Sequence, residues 1–398
     1  MLRALAALVR ASHLTTFERL PSLVADQAGK AGFGRVRIFV ADLQQDVLRE
    51  VTGRGESAGQ DGDELRIDAT LAGRAYQGGL GGVVTDGRGR HWIAVVDGTE
   101  RLGVLCVDMP EGVEADREAM LDLAAVVGLL LVSKRSYSDS YARLTRIQPM
   151  TPSAEMQWTL MPPQTLSDGR MTVAAAMEPA YETAGDAFDY ALSGDNLHLS
   201  LFDAMGHDTA AGLTANLAIA TSRSHRRDGA GLEMVGQAIE DILIEQFNHE
   251  HYVTGILADL DLTTGHLTWI NRGHPQPILI RDDRWTTTLS CQPAHPMGTG
   301  LGLPVTPCTE QLQPGDRVLF YTDGITEARD ETGQQFGRDR FADFIVRHHA
   351  DEVPLPETLR RLVHAVLDYH QGRLDDDATV LCCAWHGPAG TVPLGDLD

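Results

Sequence analysis

Phe202–Asp208, FDAMGHD, decides how the C-terminal part of this chain is read. It closes a strand-like apolar run, Leu197–Phe202, and opens a helical pattern, Thr209–Arg227. An aspartate at a strand end, followed by small residues, leaves room for its carboxylate and a nearby backbone carbonyl to approach one ion. Oxygen donors of this kind suit Mg2+ or Mn2+ rather than zinc. Alone the motif says little, because an Asp in a turn is ordinarily a turn former.

Working outward, three more acidic motifs share its character: AGDAFDY at Ala184–Tyr190, FYTDGITEA at Phe320–Ala328 and LDDDATV at Leu374–Val380. No His or Cys cluster competes with them for a metal. Between them, strand-like runs (Met171–Met177, Thr254–Leu260, His266–Ile270, Pro277–Ile280, Arg317–Tyr321 and Thr379–Trp385) alternate with two helical patterns, Thr209–Arg227 and Leu232–His249. The Asp261–Gly265 turn joins two alternating strands as a hairpin. Two sheets flanked by helices suit this order.

The succession GD-x-F/Y-D, D-x-x-GH, TDG and DD-x-T, with the intervening NRGHPQP (Asn271–Pro277) and LQPGDRVLFYTDG (Leu312–Gly324), resembles the sporulation-type PPM, or PP2C-like, protein phosphatases. The resemblance implies an αββα sandwich and a metal-dependent protein serine/threonine phosphatase, a phosphoric monoester hydrolase with two Mn2+ or Mg2+. It implies that Asp203 bridges the ions and that the Ala204 carbonyl helps hold one of them. Asp323 and Asp376 complete the other, and Asp186 binds directly or through a water. Asp203 and Asp323 are then the residues on which turnover depends. Asp376 matches the first acid of the family's paired motif and Asp377 its neighbour, a register open by one residue. Two ions about 3.5–4 Å apart can activate a water and clamp phosphoryl oxygens. A phosphoserine or phosphothreonine protein is the implied substrate, such as an anti-sigma-factor antagonist in a partner-switching pathway. A competing reading keeps the fold as a catalytically weak regulatory scaffold.

Two departures from the family pattern stand out. GHD replaces GHG, so Asp208 either binds an ion or caps the following helix, where the dipole favours an acid; capping is preferred. AGD replaces GGD, which is tolerated unless Ala184 needs a positive φ. His207 reads as structural in preference to a general acid, and His274 as the organiser of a Gly-His-Pro turn. The glycine runs Gly78–Gly82 and Gly298–Gly302 lack a following Gly-Lys-Ser/Thr and do not read as phosphate loops.

The N-terminal part has a different texture. An opening amphipathic helix carries Leu2, Leu5, Leu8 and Val9. Strand-like stretches follow at Val36–Val40, Val47–Val51, Trp92–Val96 and Leu102–Val107, with a short helix at Thr70–Tyr76 and a closing helix from near Ala115. This order, carried by LRIDATLAGRAYQGGLGGVV and WIAVVDGTERLGVLCVD, resembles a GAF domain, an antiparallel sheet with helices that implies a small-molecule ligand. The fold class expected for the whole chain is therefore α+β. Its segments are a GAF-like sensor over 1–133, a helical linker over 134–160, the phosphatase domain over 161–386 and a flexible tail over 387–398. Leu123, Val127, Leu130, Lys134, Tyr137, Tyr141 and Leu144 recur in steps of four and three, which reads either as a parallel coiled-coil seam making a homodimer or as one helix packed on its own domain.

Composition narrows the partners. The formal charge of −23, from 33 basic and 56 acidic residues, repels nucleic acid and anionic membrane. Five cysteines without a CxxC pair predict no disulfide framework and no zinc site, hence a cytoplasmic, reducing location. The interrupted N-terminal apolar run is not a signal peptide, and Ala124–Val132 is too short to span a bilayer.

Overall fold

The computed structural model describes residues 2–110, 116–206, 208–282, 284–350, 353–371, 374 and 376–389. The chain divides into two compact units, with the boundary between Pro149 and Met150.

In the first unit the elements run α1 (Leu2–Ser12), α2 (Leu20–Lys30), β1 (Val36–Ala41), β2 (Val47–Glu50), β3 (Glu64–Arg66), α3 (Leu71–Gly78), β4 (Val83–Thr85), β5 (Arg90–Asp97), β6 (Glu100–Asp108), α4 (Arg117–Arg135) and α5 (Asp139–Thr145). The strands form one antiparallel sheet in the order β3-β2-β1-β6-β5-β4. The side-chain period of two assigns its faces. Ile38, Val40, Ile93, Val95 and Leu105 pack against α1, α2 and α4. Their neighbours Phe39, Trp92, Val104 and Cys106 pack against α3 on the opposite face. The sheet with helices expected for this region is present.

The seam reading needs correction. Helix α4 stops at Arg135, and the Ser138 hydroxyl caps a new helix, α5, by accepting from the Tyr141 amide. Leu123, Val127 and Leu130 are buried in their own unit's core, and so is Leu144. Tyr141 meets Phe17 edge-on with ring centroids 5.4 Å apart. Lys134 is buried as well, its ammonium 5.8 Å from the Tyr137 ring centroid. Side chains spent on an intramolecular core cannot also line a coiled coil, so the homodimer argued from this seam loses its basis. The helical linker expected over 134–160 is divided too. Residue Thr145 accepts from the Leu43 amide at 3.1 Å within the first unit. The helix α6 (Pro152–Leu160) instead belongs to the second, where Trp158 donates to the Ala180 carbonyl at 2.8 Å.

After α6 the second unit contains β7 (Thr165–Ser167), β8 (Met171–Glu178), β9 (Asp186–Ser193), β10 (Asn196–Ala204), α7 (Thr209–Arg227), α8 (Leu232–Phe247), β11 (Val253–Asp261), β12 (His266–Arg272), β13 (Ile278–Arg281), β14 (Trp285–Thr288), β15 (Cys308–Gln311), β16 (Arg317–Tyr321), α9 (Asp323–Glu327), α10 (Arg338–Ala350), α11 (Leu355–Tyr369) and β17 (Ala378–Trp385). One sheet has the order β15-β12-β11-β10-β9, the other β14-β13-β16-β17-β8-β7, and every pairing is antiparallel. β17 shows why its sequence is apolar throughout. Leu381, Cys383 and Trp385 face the core shared by both sheets and by α7 and α8, whereas Val380, Cys382 and Ala384 face α10 and α11. A strand covered on both faces has no polar side to alternate with. The layers are therefore helix, sheet, sheet and helix, the expected αββα sandwich.

The cysteines overturn one expectation. Cys291 and Cys308 form a disulfide across a separation of 17 residues, closing the loop between β14 and β15. Cys106, Cys382 and Cys383 are free and buried. The sequence carried no cue to the pairing, because it depends on two sheet edges being neighbours; the argument from cysteines to a reducing location falls with it. Among the described residues no helix is long and apolar enough to cross a membrane. Of the tail expected over 387–398, residues 390–398 lie outside the described residues.

Candidate metal centre

Sheet register brings the first two carboxylates together. Asp203, next to last on β10, is the Cα partner of Asp186 at the start of β9 and of Thr254 near the start of β11. Cross-strand partners share a face, so Asp186, Asp203 and Thr254 point the same way from the sheet. The loop between Ala184 and Asp186 is held tightly. Gly185 donates to an Asp377 carboxylate oxygen, and its carbonyl accepts from the Ala204 amide at 3.0 Å. A Cβ at Gly185 would sit 2.6 Å from the Ala204 carbonyl oxygen, so this position needs glycine. Ala184, by contrast, is not among the residues with positive φ, and its side chain is accommodated in the core.

The second sheet supplies the rest. β16 pairs with β17, which sets Thr322 beside Thr379: the Thr322 amide donates to the Thr379 carbonyl at 3.0 Å, and the Thr379 amide to the Thr322 hydroxyl at 2.9 Å. That hydroxyl donates to Asp186 at 2.7 Å, tying the two sheets. Asp323 follows Thr322 as the first residue of α9, and Asp376 precedes β17. The chain can pass here only because residue 324 is glycine, since a Cβ would lie 2.0 Å from the Asp377 carbonyl oxygen.

Electrostatics show what this convergence costs. Burial, then the charges of Asp323, Asp376 and Asp377, push the Asp203 carboxyl up to about 7. Burial, Asp203 and Asp377 raise Asp186 well above the usual carboxylate range. Burial, Asp376 and Glu327 raise Asp323. None of the main influences on these three groups is a cation. Like charges held close in a low-dielectric environment disfavour ionisation unless a cation compensates them.

Of the predicted set, Asp186 faces Asp203 across the strands, Ala204 follows Asp203 on β10, and the charges of Asp323 and Asp376 act on Asp203. Asp376 and Asp377 are distinguishable there: Asp376 is exposed, whereas Asp377 is buried and occupied with the Gly185 amide. Asp208 caps α7, accepting from the Ala211 amide at 3.0 Å. His207 lies outside the described residues. Among the described residues no three such side chains already stand at metal-coordinating separations. The donors nonetheless fit a hard divalent cation, being carboxylate and carbonyl oxygens among which like charge is a main influence. Sequence reasoning did not single out Thr254, Thr322, Thr379 or Gln157. The last reaches from α6 to donate to the carbonyls of Ala184, at 3.0 Å, and Asp186. Thr322 and Thr379 stand inside the TDG and DD-x-T motifs; Thr254 and Gln157 had no local signal.

Residues 193–386 match the family model described as stage II sporulation protein E (SpoIIE). Among curated proteins the chain is similar to Protein IcfG of Synechocystis sp., 24% identical over 220 residues, covering 48% of this chain and 34% of that protein. It is also similar to the phosphoserine phosphatase RsbU of Bacillus subtilis, 19% identical over 230 residues, covering 58% of this chain and 68% of the relative. It therefore spans only about a third of the length of the first of these. Among solved structures it is similar to the RsbU and RsbW domains of Rv1364c from Mycobacterium tuberculosis, with a TM-score of 0.47 and 25% identity over 55% of this chain and 62% of that one. A second is the PP2C phosphatase domain of Bacillus subtilis SpoIIE, with a TM-score of 0.45 and 22% identity over 54% and 63%.

Proposed function

We propose that this chain is a metal-dependent phosphoprotein phosphatase acting on phosphoserine or phosphothreonine, with its first unit as a GAF-like regulatory sensor. The observation that carries the reading is the mutual influence of Asp186, Asp203, Asp323 and Asp376, from four separated segments, with no cation of the described residues among the main influences on the first three. Relatives described as phosphoserine phosphatases, RsbU and RsbP of Bacillus subtilis, support the reaction type. A phosphorylated anti-sigma-factor antagonist in partner switching is the substrate class proposed from the SpoIIE-type resemblance, and the cytoplasm the location.

Two Mn2+ or Mg2+ ions, held by Asp186, Asp203, the Ala204 carbonyl, Asp323 and Asp376, would acidify a water and offset charge on the phosphoryl oxygens. The chain's own part is positioning. Buried hydrogen bonds from Thr322 and Gly185 fix Asp186 and the adjoining loop, so the carboxylates do not have to reorganise when a phosphate arrives. The free thiols take no part: Cys382 and Cys383 are buried, and burial raises both, Cys382 to about 12, far from a thiolate nucleophile.

The test is hydrolysis of an aryl phosphate and of a phosphoserine protein by the full chain, with Mn2+, with Mg2+ and after chelation. Turnover that requires the cation supports the reading. A folded protein that binds Mn2+ but turns over neither substrate would replace it with the regulatory scaffold.

A further inference from the structure

His274 stands where the chain crosses from one sheet to the other, in the turn between β12 and β13. Asn271 grips that turn from both sides. Its side-chain amide donates to the His274 carbonyl at 2.8 Å, and its side-chain oxygen accepts the His274 amide at 2.8 Å. The imidazole is thereby aimed inward, and it is 4% exposed. Its Nε2 lies 3.1 Å from the Tyr321 carbonyl oxygen. A carbonyl can only accept, so Nε2 carries a hydrogen, and because burial lowers the imidazole to about 4 the ring is neutral and Nδ1 is the bare nitrogen. Nδ1 lies 2.9 Å from the Thr254 hydroxyl, which must then be the donor. Thr254 is the cross-strand partner of Asp203 and stands beside its carboxyl on the same face of the sheet; with its one hydrogen given to Nδ1, the hydroxyl holds that place by contact and not by donating to the carboxyl. Tyr321 is the last residue of β16, two positions before Asp323.

We propose that His274 is a positioning residue of the metal centre, a neutral clamp that spans the two sheets. One ring nitrogen holds Thr254 beside Asp203, and the other holds the backbone that delivers Asp323. The clamp fixes the separation and orientation of the two carboxylates. Outer partners that orient metal ligands commonly change metal affinity by about 10–100-fold when removed. The inference rests on the metal-centre reading above. It goes beyond the turn-forming role that the Gly-His-Pro sequence assigns to His274, because a turn former has no need of Thr254.

The test uses the full chain without substrate. Mn2+ affinity is measured by titration calorimetry for the wild type, Thr254→Val, Thr254→Ser and His274→Gln, with thermal unfolding as the control for folding. Nitrogen-15 NMR reads the His274 tautomer. The expectation is affinity weaker by about 10–100-fold for folded Thr254→Val, recovery to within about threefold in Thr254→Ser, and a wild-type ring protonated at Nε2 alone. His274→Gln should weaken binding as Thr254→Val does; if it fails to fold, the threonine pair still decides. Wild-type affinity in folded Thr254→Val, or a ring protonated at Nδ1, would overturn the clamp while leaving the metal centre intact. A wild type that binds no Mn2+ would overturn the metal centre itself, and the clamp with it.

Discussion

Asp186 and Asp203 stand directly opposite one another on adjacent antiparallel strands, and burial together with neighbouring negative charge raises both carboxyls. A fold that placed these two acids side by side only for stability would gain nothing from them.

Removing one charge should therefore separate stability from function. Asp203→Asn is expected to raise the thermal midpoint of the metal-free protein, because a buried like-charge contact is lost. It should abolish the stabilisation that Mn2+ confers and lower aryl phosphate turnover by at least about 100-fold, the scale typical of losing an electrostatic element of a catalytic site. Thermal scans with and without Mn2+, beside rate measurements, check both halves. An unchanged response to Mn2+ would remove Asp203 from the site.

The paired acids before β17 should behave differently. Asp377 spends its carboxylate on the Gly185 amide, and an asparagine oxygen can accept that bond equally well. Asp377→Asn also removes a charge that acts on Asp186 and Asp203, but it keeps the Gly185 bond, so Mn2+ affinity should fall less than in Asp376→Asn. Asp376→Asn, which removes an exposed charge that acts on Asp203 and Asp323, should weaken it by tenfold or more, on the order of about 1.4 kcal/mol. The reverse ranking in calorimetry would move the register by one residue.

Asp208 is a helix cap. Asp208→Ala should cost about 1 kcal/mol in denaturant unfolding, the usual value of such a cap, with no change in the Mn2+ dissociation constant. A large change in Mn2+ binding would place Asp208 among the ligands after all.

The α4 residues once legible as a dimer seam should report on the first unit's own core. Leu130→Glu buries a charge without a partner, and its unfolding midpoint should fall at every protein concentration alike. A midpoint that falls only at low concentration, with light scattering showing dissociation, would restore the seam.

Much of the candidate site was legible because its chemistry is written in short local motifs. An aspartate flanked by small residues at a strand end carries the same meaning wherever the strand lies, and the order of four such motifs pointed to an αββα sandwich with an acidic end. Helix α7 was likewise legible from Thr209 to Arg227, since its period and its Asp208 cap are local. Helices α10 and α11 were not foreseen. Strand β9 was read only as an acidic motif, because Asp186 and Asp189 sit among its apolar residues. Asp189 can be buried there because Arg223 and Arg226 of α7 pair with it at 2.7 and 3.0 Å, a compensation from residues distant in the chain.

What only the tertiary structure decided has the same character. The heptad-like spacing from Leu123 to Leu144 is compatible with a partner helix or with the chain's own sheet, and only the packed sheet chose. The Cys291–Cys308 bond, the unequal roles of Asp376 and Asp377, and the line from Asp203 through Thr254 and His274 to Tyr321 all join segments that meet only when two sheets stack. Sequence alone determined which residue types the site has available, because side-chain chemistry is a property of each position. Folding decided which of them face one another, because burial, register and charge compensation exist only between positions.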